Sequence, residues 1–394
     1  MGTHPANVPS RAAENPRACA IMLVVGLWRA TEHEELTSRV WDERVARDAL
    51  AAIVADAVAA ERDGFWPGHP LDDVAEHDRF CSLYLGSAGM IWALWSLGTA
   101  FDAKAALDTA LERYRAVPDF GPEAHPPSLW MGETGLLVVA DRVGSGSADR
   151  SRLADLVRRN REHPTWELMW GSPGTMLAAQ ACGLTDEWHE SARLLWARWD
   201  EASGLWTQDM YGSITQYLGP AHGFAGNVHA LRGFVDDDML RRRVAALLER
   251  TALRADGLVN WPPTPDSPGS KIRVQWCHGA PGLITTLGDL IPESLLLGAG
   301  ELTWRAGPMR KGAGLCHGTA GNGFAFLRLY GLTGDETWLE RARRFAMHAI
   351  EQVDRGRSAA GRGRYTLWTG DIGVALYLAA CLDVDADFPT IDTF

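Results

Sequence analysis

Two short strings each set a thiol beside an imidazole just ahead of a glycine: Trp276-Cys277-His278-Gly279 and Leu315-Cys316-His317-Gly318. Zinc favours tetrahedral ligation by sulfur and nitrogen and, in catalytic sites, keeps a fourth position open. The two cysteines lie 39 residues apart, so they form a site only if the fold brings the strings together. Cys277 and Cys316 would then supply two thiolates, and either His278 or His317 the nitrogen; spacing does not choose between them. The alternative is a pair of ordinary buried thiols, which are common in apolar cores. Two anionic sulfurs neutralise a divalent ion. That weakens it as a Lewis acid for making hydroxide but suits it to holding an incoming thiol as thiolate. Thiol chemistry is the better fit.

An internal repeat supplies the elements that would bring the strings together. A Gly-x-x-Gly followed by an apolar stretch recurs seven times, with first glycines at Gly86, Gly132, Gly171, Gly223, Gly279, Gly318 and Gly370. Polar, amphipathic segments lie between the copies, among them Ser38 to Asp63, Thr185 to Trp199, Asp236 to Arg254 and Asp335 to Val353. In the last of these, Trp338, Ala342, Phe345, Ala346 and Ile350 follow helical spacing, and Thr333 with Glu336 fits a capping box. Each repeat therefore reads as an outer amphipathic helix, a loop, and an inner helix that opens at the Gly-x-x-Gly. The inner helix is apolar on nearly every side, so only neighbouring repeats can bury it. Seven such pairs predict an all-α fold, an α/α toroid of about seven inner and seven outer helices, closed because an open solenoid would need polar caps. It would occupy residues 38–394 as one domain, behind an N-terminal segment, 1–37, of unassigned role. The glycines would give the turns backbone angles closed to other residues and let neighbouring backbones approach closely, and adjacent repeats would present Cys277 and Cys316 side by side on one face. Trp130, Trp166, Trp170, Trp276 and Trp368 crowd the repeat turns, either to grip a peptide or to fill the core.

Composition narrows the partners. The chain has 394 residues, 46% of them hydrophobic, and a net charge of -12. That charge argues against nucleic acid or an anionic membrane surface, which require clustered Lys and Arg. Six cysteines scattered at 19, 81, 182, 277, 316 and 381 suit reduced thiols in the cytoplasm better than a disulfide framework. The apolar run Ala18 to Trp28 is about half the roughly 20 residues that span a bilayer. Charged residues follow it with no clear cleavage site, so it reads as a buried segment rather than a signal or a transmembrane helix.

The strings WCHGAPG and LCHGTAGN, the preceding AHGFAG, the sevenfold repeat and the ending FPTIDTF resemble the LanC-like family over about Tyr84 to Phe394. That family comprises bacterial lanthipeptide cyclases and eukaryotic glutathione-binding relatives, and WCHGAPG and ELMWG look closer to the eukaryotic type. The resemblance implies zinc held by Cys277, Cys316 and His317. It also implies conjugate addition of a cysteine thiolate to dehydroalanine or dehydrobutyrine, which leaves a thioether. The enolate formed on attack needs a cation and a general acid. His222 holds, in the fourth repeat, the place that His278 and His317 hold in the fifth and sixth, and it matches the family's acid-base histidine. Arg273 matches the arginine at the enolate, and Glu167 stands where cyclases usually carry Asp, a longer side chain of uncertain reach. Lys311 and Arg310, upstream of Cys316, could attract the carboxylates of glutathione or an acidic peptide, with His278 as a third substrate-side candidate. No dehydratase or kinase domain is visible, so the dehydration of a peptide or protein substrate would come from a partner, such as a separate dehydratase, or from another process. The competing readings are a glutathione-adding enzyme, a non-catalytic zinc or glutathione scaffold, and a metal-free α/α-barrel glycosidase using carboxylates such as Glu133 and Asp371.

Overall fold

Every one of the seven Gly-x-x-Gly strings opens a helix, and its first glycine is the N-cap. The structure is a computed structural model that describes residues 26–120, 127–267 and 272–394. Fourteen α-helices are present among them. The outer set is α1 (Glu43–Ala60), α3 (Ala103–Ala116), α5 (Arg150–Asn160), α7 (Thr185–Ala197), α9 (Asp237–Thr251), α11 (Glu293–Ala306) and α13 (Glu336–Ala360). The inner set is α2 (Ser87–Ser96), α4 (Glu133–Val143), α6 (Ser172–Ala181), α8 (Phe224–Ala230), α10 (Ala280–Leu287), α12 (Thr319–Thr333) and α14 (Asp371–Asp383). Each inner helix touches the next, and α14 touches both α2 and α1, so the ring closes as the repeat requires. Two antiparallel ribbons add to the all-α reading: β1 (Gln208–Met210) with β2 (Ser213–Thr215), and β3 (Leu253–Ala255) with β4 (Leu258–Asn260).

The sequence pattern explains the two layers. Residues 87–94 of α2 and 280–287 of α10 are buried on all sides, whereas α13 buries one stripe that includes Trp338, Ala342, Phe345 and Ala346. The capping box expected for α13 is not formed. Thr333 instead ends α12, bonding back to the Leu329 carbonyl, and Asp335 caps α13 by accepting from the Thr337 amide at 2.9 Å. Asp caps the exposed first turn equally well and leaves Thr333 inside the preceding helix.

Of the two roles expected for the glycines, close approach holds in every repeat and unusual backbone angles at only one. Six of the seven first glycines are extended; Gly279 alone, at φ 104°, sits where an L-residue is strained. The second glycine of every repeat, three residues on, faces the carbonyl oxygen of the residue six positions before it, and a Cβ there would overlap that oxygen. The turn into each inner helix therefore folds back onto the helix's first residues.

Backbone hydrogen bonds stitch the turns together around the ring. The residue two before the first glycine donates its amide to its counterpart in the next repeat at four junctions: Tyr84 to Trp130 (2.9 Å), Met169 to Ala221 (3.3 Å), Cys277 to Cys316 (3.2 Å) and Cys316 to Trp368 (2.9 Å). Inside this girdle the fully buried rings of Trp130, Trp276 and Trp368 meet at centroid distances of 4.6 Å (Trp130–Trp368) and 4.8 Å (Trp276–Trp368). These three tryptophans are core, not a peptide-gripping wall. Trp170 is partly exposed and donates its indole N–H to the Tyr211 hydroxyl.

Of the N-terminal segment, residues 1–25, with Cys19 and most of the Ala18 to Trp28 run, lie outside the described residues. Residues 26–37 pack on the toroid: Leu27 is buried, the Leu27 carbonyl accepts from Asn260, and the Glu34 amide donates to Pro308 at 3.0 Å. Among the described residues no helix is long and apolar enough to cross a membrane.

Candidate metal centre and its surroundings

The amide of Cys277 on the Cys316 carbonyl brings the two Cys-His strings together, as adjacent repeats of a closed ring must. One sulfur from each cysteine and one nitrogen of His317 lie within 4.8 Å of one another, and both cysteines are buried. A tetrahedral ion with Zn–S near 2.3 Å and Zn–N near 2.0 Å sets edges of roughly 3.5–3.8 Å, so a shift of about 1 Å at the widest edge would close the set. The donors fit a soft or borderline divalent metal, and three of them leave a fourth position. Of the two histidines that spacing left open, the one in this group is His317.

Electrostatics agree with that use. Without a metal the Cys277 thiol hydrogen-bonds Cys316 and holds its thiol well below the ordinary range, aided by His317 and the Tyr84 hydroxyl. The same shared hydrogen bond, with burial, pushes Cys277 far up. A cation bound between the two sulfurs would favour loss of their thiol protons. The Gln275 side-chain amide donates to the Cys277 sulfur at 2.9 Å.

The loop carrying Cys277 is braced from three sides. Asn260, at the end of β4, accepts from the Ala280 amide (2.9 Å) and donates to the Arg273 carbonyl (3.1 Å). Asn322, on the first turn of α12, donates to the Val274 carbonyl at 2.8 Å. Gly279 at its positive φ lets the chain turn from this loop into α10.

The other residues singled out from sequence fall into two groups. Glu167 is fully buried; its carboxylate accepts from the amides of Met169 (2.9 Å) and Trp170 (2.7 Å) and reaches His222 Nδ1 at 3.0 Å. Its extra methylene does not defeat its reach. With Nδ1 donating to that carboxylate, His222 Nε2 has no hydrogen-bond partner among the described residues. The ring of His222 lies 5.9 Å from that of His278 and 6.0 Å from that of Tyr217. Burial, with His222 and Arg273 nearby, pushes His278 down to about 3, so its imidazole is neutral near pH 7. Arg273 pairs with Glu32 at 3.3 Å, a partner supplied by the N-terminal segment. Arg310 fastens the same segment, donating to the His33 carbonyl at 3.0 Å, and is exposed. Lys311 is exposed and close enough to Cys277 to favour its thiolate. The carboxylates weighed for a glycosidase are each tied to arginine: Glu133 to Arg152 at 2.7 Å and Asp371 to Arg357 at 2.9 Å.

A family model described as lanthionine synthetase C-like protein matches residues 78–393. The chain belongs to the lanthionine synthetase C-like family. Over 189 residues it is 34% identical to "LanC-like protein GCL1" of Arabidopsis thaliana, covering 44% of this chain and 43% of that one. Over 191 residues it is 32% identical to "Glutathione S-transferase LANCL1" of Danio rerio, covering 45% of this chain and 46% of that protein. The matched regions thus span less than half the length of these curated relatives. A solved structure named "Nisin cyclase" superposes with a TM-score of 0.58 at 16% identity, covering 86% of this chain and 94% of the other. That likeness establishes the toroid in this LanC-like chain.

Gln275, Tyr84 and Glu32 were not found from sequence. Tyr84 had a readable signal: it stands two residues before its glycine, the same repeat position as Cys277 and Cys316.

Proposed function

We propose that this LanC-like protein is a zinc-dependent enzyme that adds a thiol to dehydroalanine or dehydrobutyrine in a peptide or protein, forming a lanthionine-type thioether. The observation that carries the proposal is the Cys277–Cys316–His317 donor set, with both cysteines buried. When bound, zinc in such a set offers its fourth position to an incoming thiol and makes the thiol's proton easier to lose.

The chain's own residues account for the remaining requirements. As the sulfur's electron pair forms the bond to the β-carbon, the π pair of the double bond moves onto the carbonyl as an enolate. The Arg273 guanidinium supplies the cation that opposes that charge, and its ion pair with Glu32 supports this role by holding the side chain. A protonated His222 delivers H⁺ from Nε2 to the α-carbon. Buried Glu167 fixes the ring through Nδ1 and stabilises the imidazolium. The proton lost by the thiol restores His222, so the net change is addition of S–H across the double bond. The neutral His278 beside His222 leaves that histidine the proton carrier.

Mass spectrometry of a dehydroalanine peptide incubated with the protein tests this reading. Thioether formation should exceed the uncatalysed rate and collapse in Cys316→Ala; equal rates in both and in buffer would leave a zinc scaffold. The name of the Danio rerio relative and the exposed Lys311 beside Cys277 favour a second version, in which the thiol is glutathione. Parallel reactions with an internal peptide cysteine and with glutathione separate the two.

A further inference from the structure

The ending Phe388-Pro389-Thr390-Ile391-Asp392-Thr393-Phe394 plays no part in the chemistry above, yet it enters the middle of the ring. Phe388 is fully buried and stacks on Trp276 at 5.0 Å with the planes 20° apart. It also meets Phe324 of α12 at 4.9 Å and Trp368 at 5.8 Å. Trp276 immediately precedes Cys277, so the tail touches the metal loop from inside the toroid.

Two further features make this contact more than filler. The indole nitrogens of Trp130, Trp276 and Trp368 are buried and have no hydrogen-bond partner among the described residues. No polar contact therefore fixes the Trp276 ring; packing sets its orientation, and Phe388 covers one face of it. The tail itself is latched. Asp392 accepts from Arg328 of α12 at 2.6 Å and from the Phe388 amide at 2.8 Å, folding the segment back on itself. His229 of α8 lies 3.2 Å from the Ile391 carbonyl. Buried Thr390 takes φ 59° to make the turn, and its amide meets the Thr393 carbonyl at 2.9 Å. A segment that only covered the ring would need neither a positive-φ residue nor a carboxylate, here 14% exposed, as its clasp.

We infer that the tail is a plug that positions the metal loop: Asp392 clasps it to α12, and Phe388 holds Trp276, and through it Cys277, in the ligating arrangement. Phe388 and Asp392 are positioning residues, acting through Trp276. The inference rests on the metal-site reading for the zinc part of its test only.

The test uses the full chain with Phe388→Ala, Phe388→Leu and Asp392→Asn. In metal-free protein, a pulse of iodoacetamide followed by peptide mass spectrometry reads how fast Cys277 is alkylated, with buried Cys81 and Cys182 as internal references. Phe388→Ala should label Cys277 about tenfold faster while the references hold their rates, and zinc affinity by chelator competition should fall about tenfold, the lower range for a lost outer partner of a metal site. Phe388→Leu should recover most of both, and Asp392→Asn should move both in the same direction by less. Wild-type labelling of Cys277 in Phe388→Ala, or equal acceleration of all three cysteines, overturns the inference, because the tail would then be a general prop. If Phe388→Ala does not fold, Asp392→Asn carries the same decision. A wild-type chain that binds no zinc overturns the metal reading instead, and the labelling contrast still judges the plug.

Discussion

Replacing Glu167 by glutamine tests the pairing that gives His222 its role. The carboxylate takes three donors on two oxygens: the Trp170 amide on one, the Met169 amide and His222 Nδ1 on the other. Glutamine keeps the shape but has a single oxygen, so its NH2 must face either the Trp170 amide or the Met169 and His222 donors. A buried donor left unpaired costs about 1–3 kcal/mol, and the surviving bonds lose the strength that an ionised acceptor gave them. Urea unfolding should therefore show Glu167→Gln less stable by about 2–3 kcal/mol. Its thioether-forming rate should drop about 10–100-fold, the usual penalty for an orienting partner, because the His222 ring is no longer fixed nor its imidazolium stabilised. Zinc content should stay at the wild-type level. Stability within about 0.5 kcal/mol of wild type would refute the buried-acceptor argument. A normal rate in a destabilised variant would show that Glu167 supports the fold and not His222.

The purified protein should hold about one zinc per chain by elemental analysis, and Cys277→Ala or Cys316→Ala should lose it, since three ligands define one site. His222→Asn should retain the metal while slowing addition; metal loss there would move His222 into the ligand set. Gly279→Ala should destabilise the protein by about 1–3 kcal/mol in denaturant titration, because it strains a φ of 104° and drives a Cβ against the Arg273 carbonyl. Burial holds His33, His163 and His229 below the ordinary histidine range. The unfolded chain therefore takes up protons near pH 6.5 that the native chain refuses until lower pH. Stability from these groups is full above about 6.5 and is lost as pH falls through their native values, so the urea midpoint should decline from pH 7 to pH 5.

The ring and the meeting of the two Cys-His strings were legible because both are written in local repetition. Seven glycine strings fix seven inner helices, and two consecutive ones carry Cys-His at equivalent places, so the stacking of adjacent repeats puts Cys277 beside Cys316. What the strings do not encode is contact between segments with no shared pattern. Glu32 reaches Arg273, and Phe388 reaches Trp276, from the two ends of the described chain. The conformational role given to the glycines held only at Gly279, because a tight approach and an unusual φ both select glycine and look alike in sequence. The misplaced cap of α13 has a similar source: Thr333 and Asp335 are both good caps, and only the length of α12 decides between them.

The seam where α14 meets α1 and α2 sets the order in which this protein can be finished. Contacts between neighbouring repeats are local and can form as each helix pair leaves the ribosome, but the seam joins elements from opposite ends of the sequence. Until residues 371–383 are made, the inner faces of α2 and α12 have no α14 to bury them. Closing so long a loop carries its entropic cost in one late step, and topologies dominated by such distant contacts fold slowly. Nascent chains stalled before α14 should accordingly be sticky and protease-sensitive although both Cys-His strings are already present. Resistance should arrive abruptly with the last inner helix.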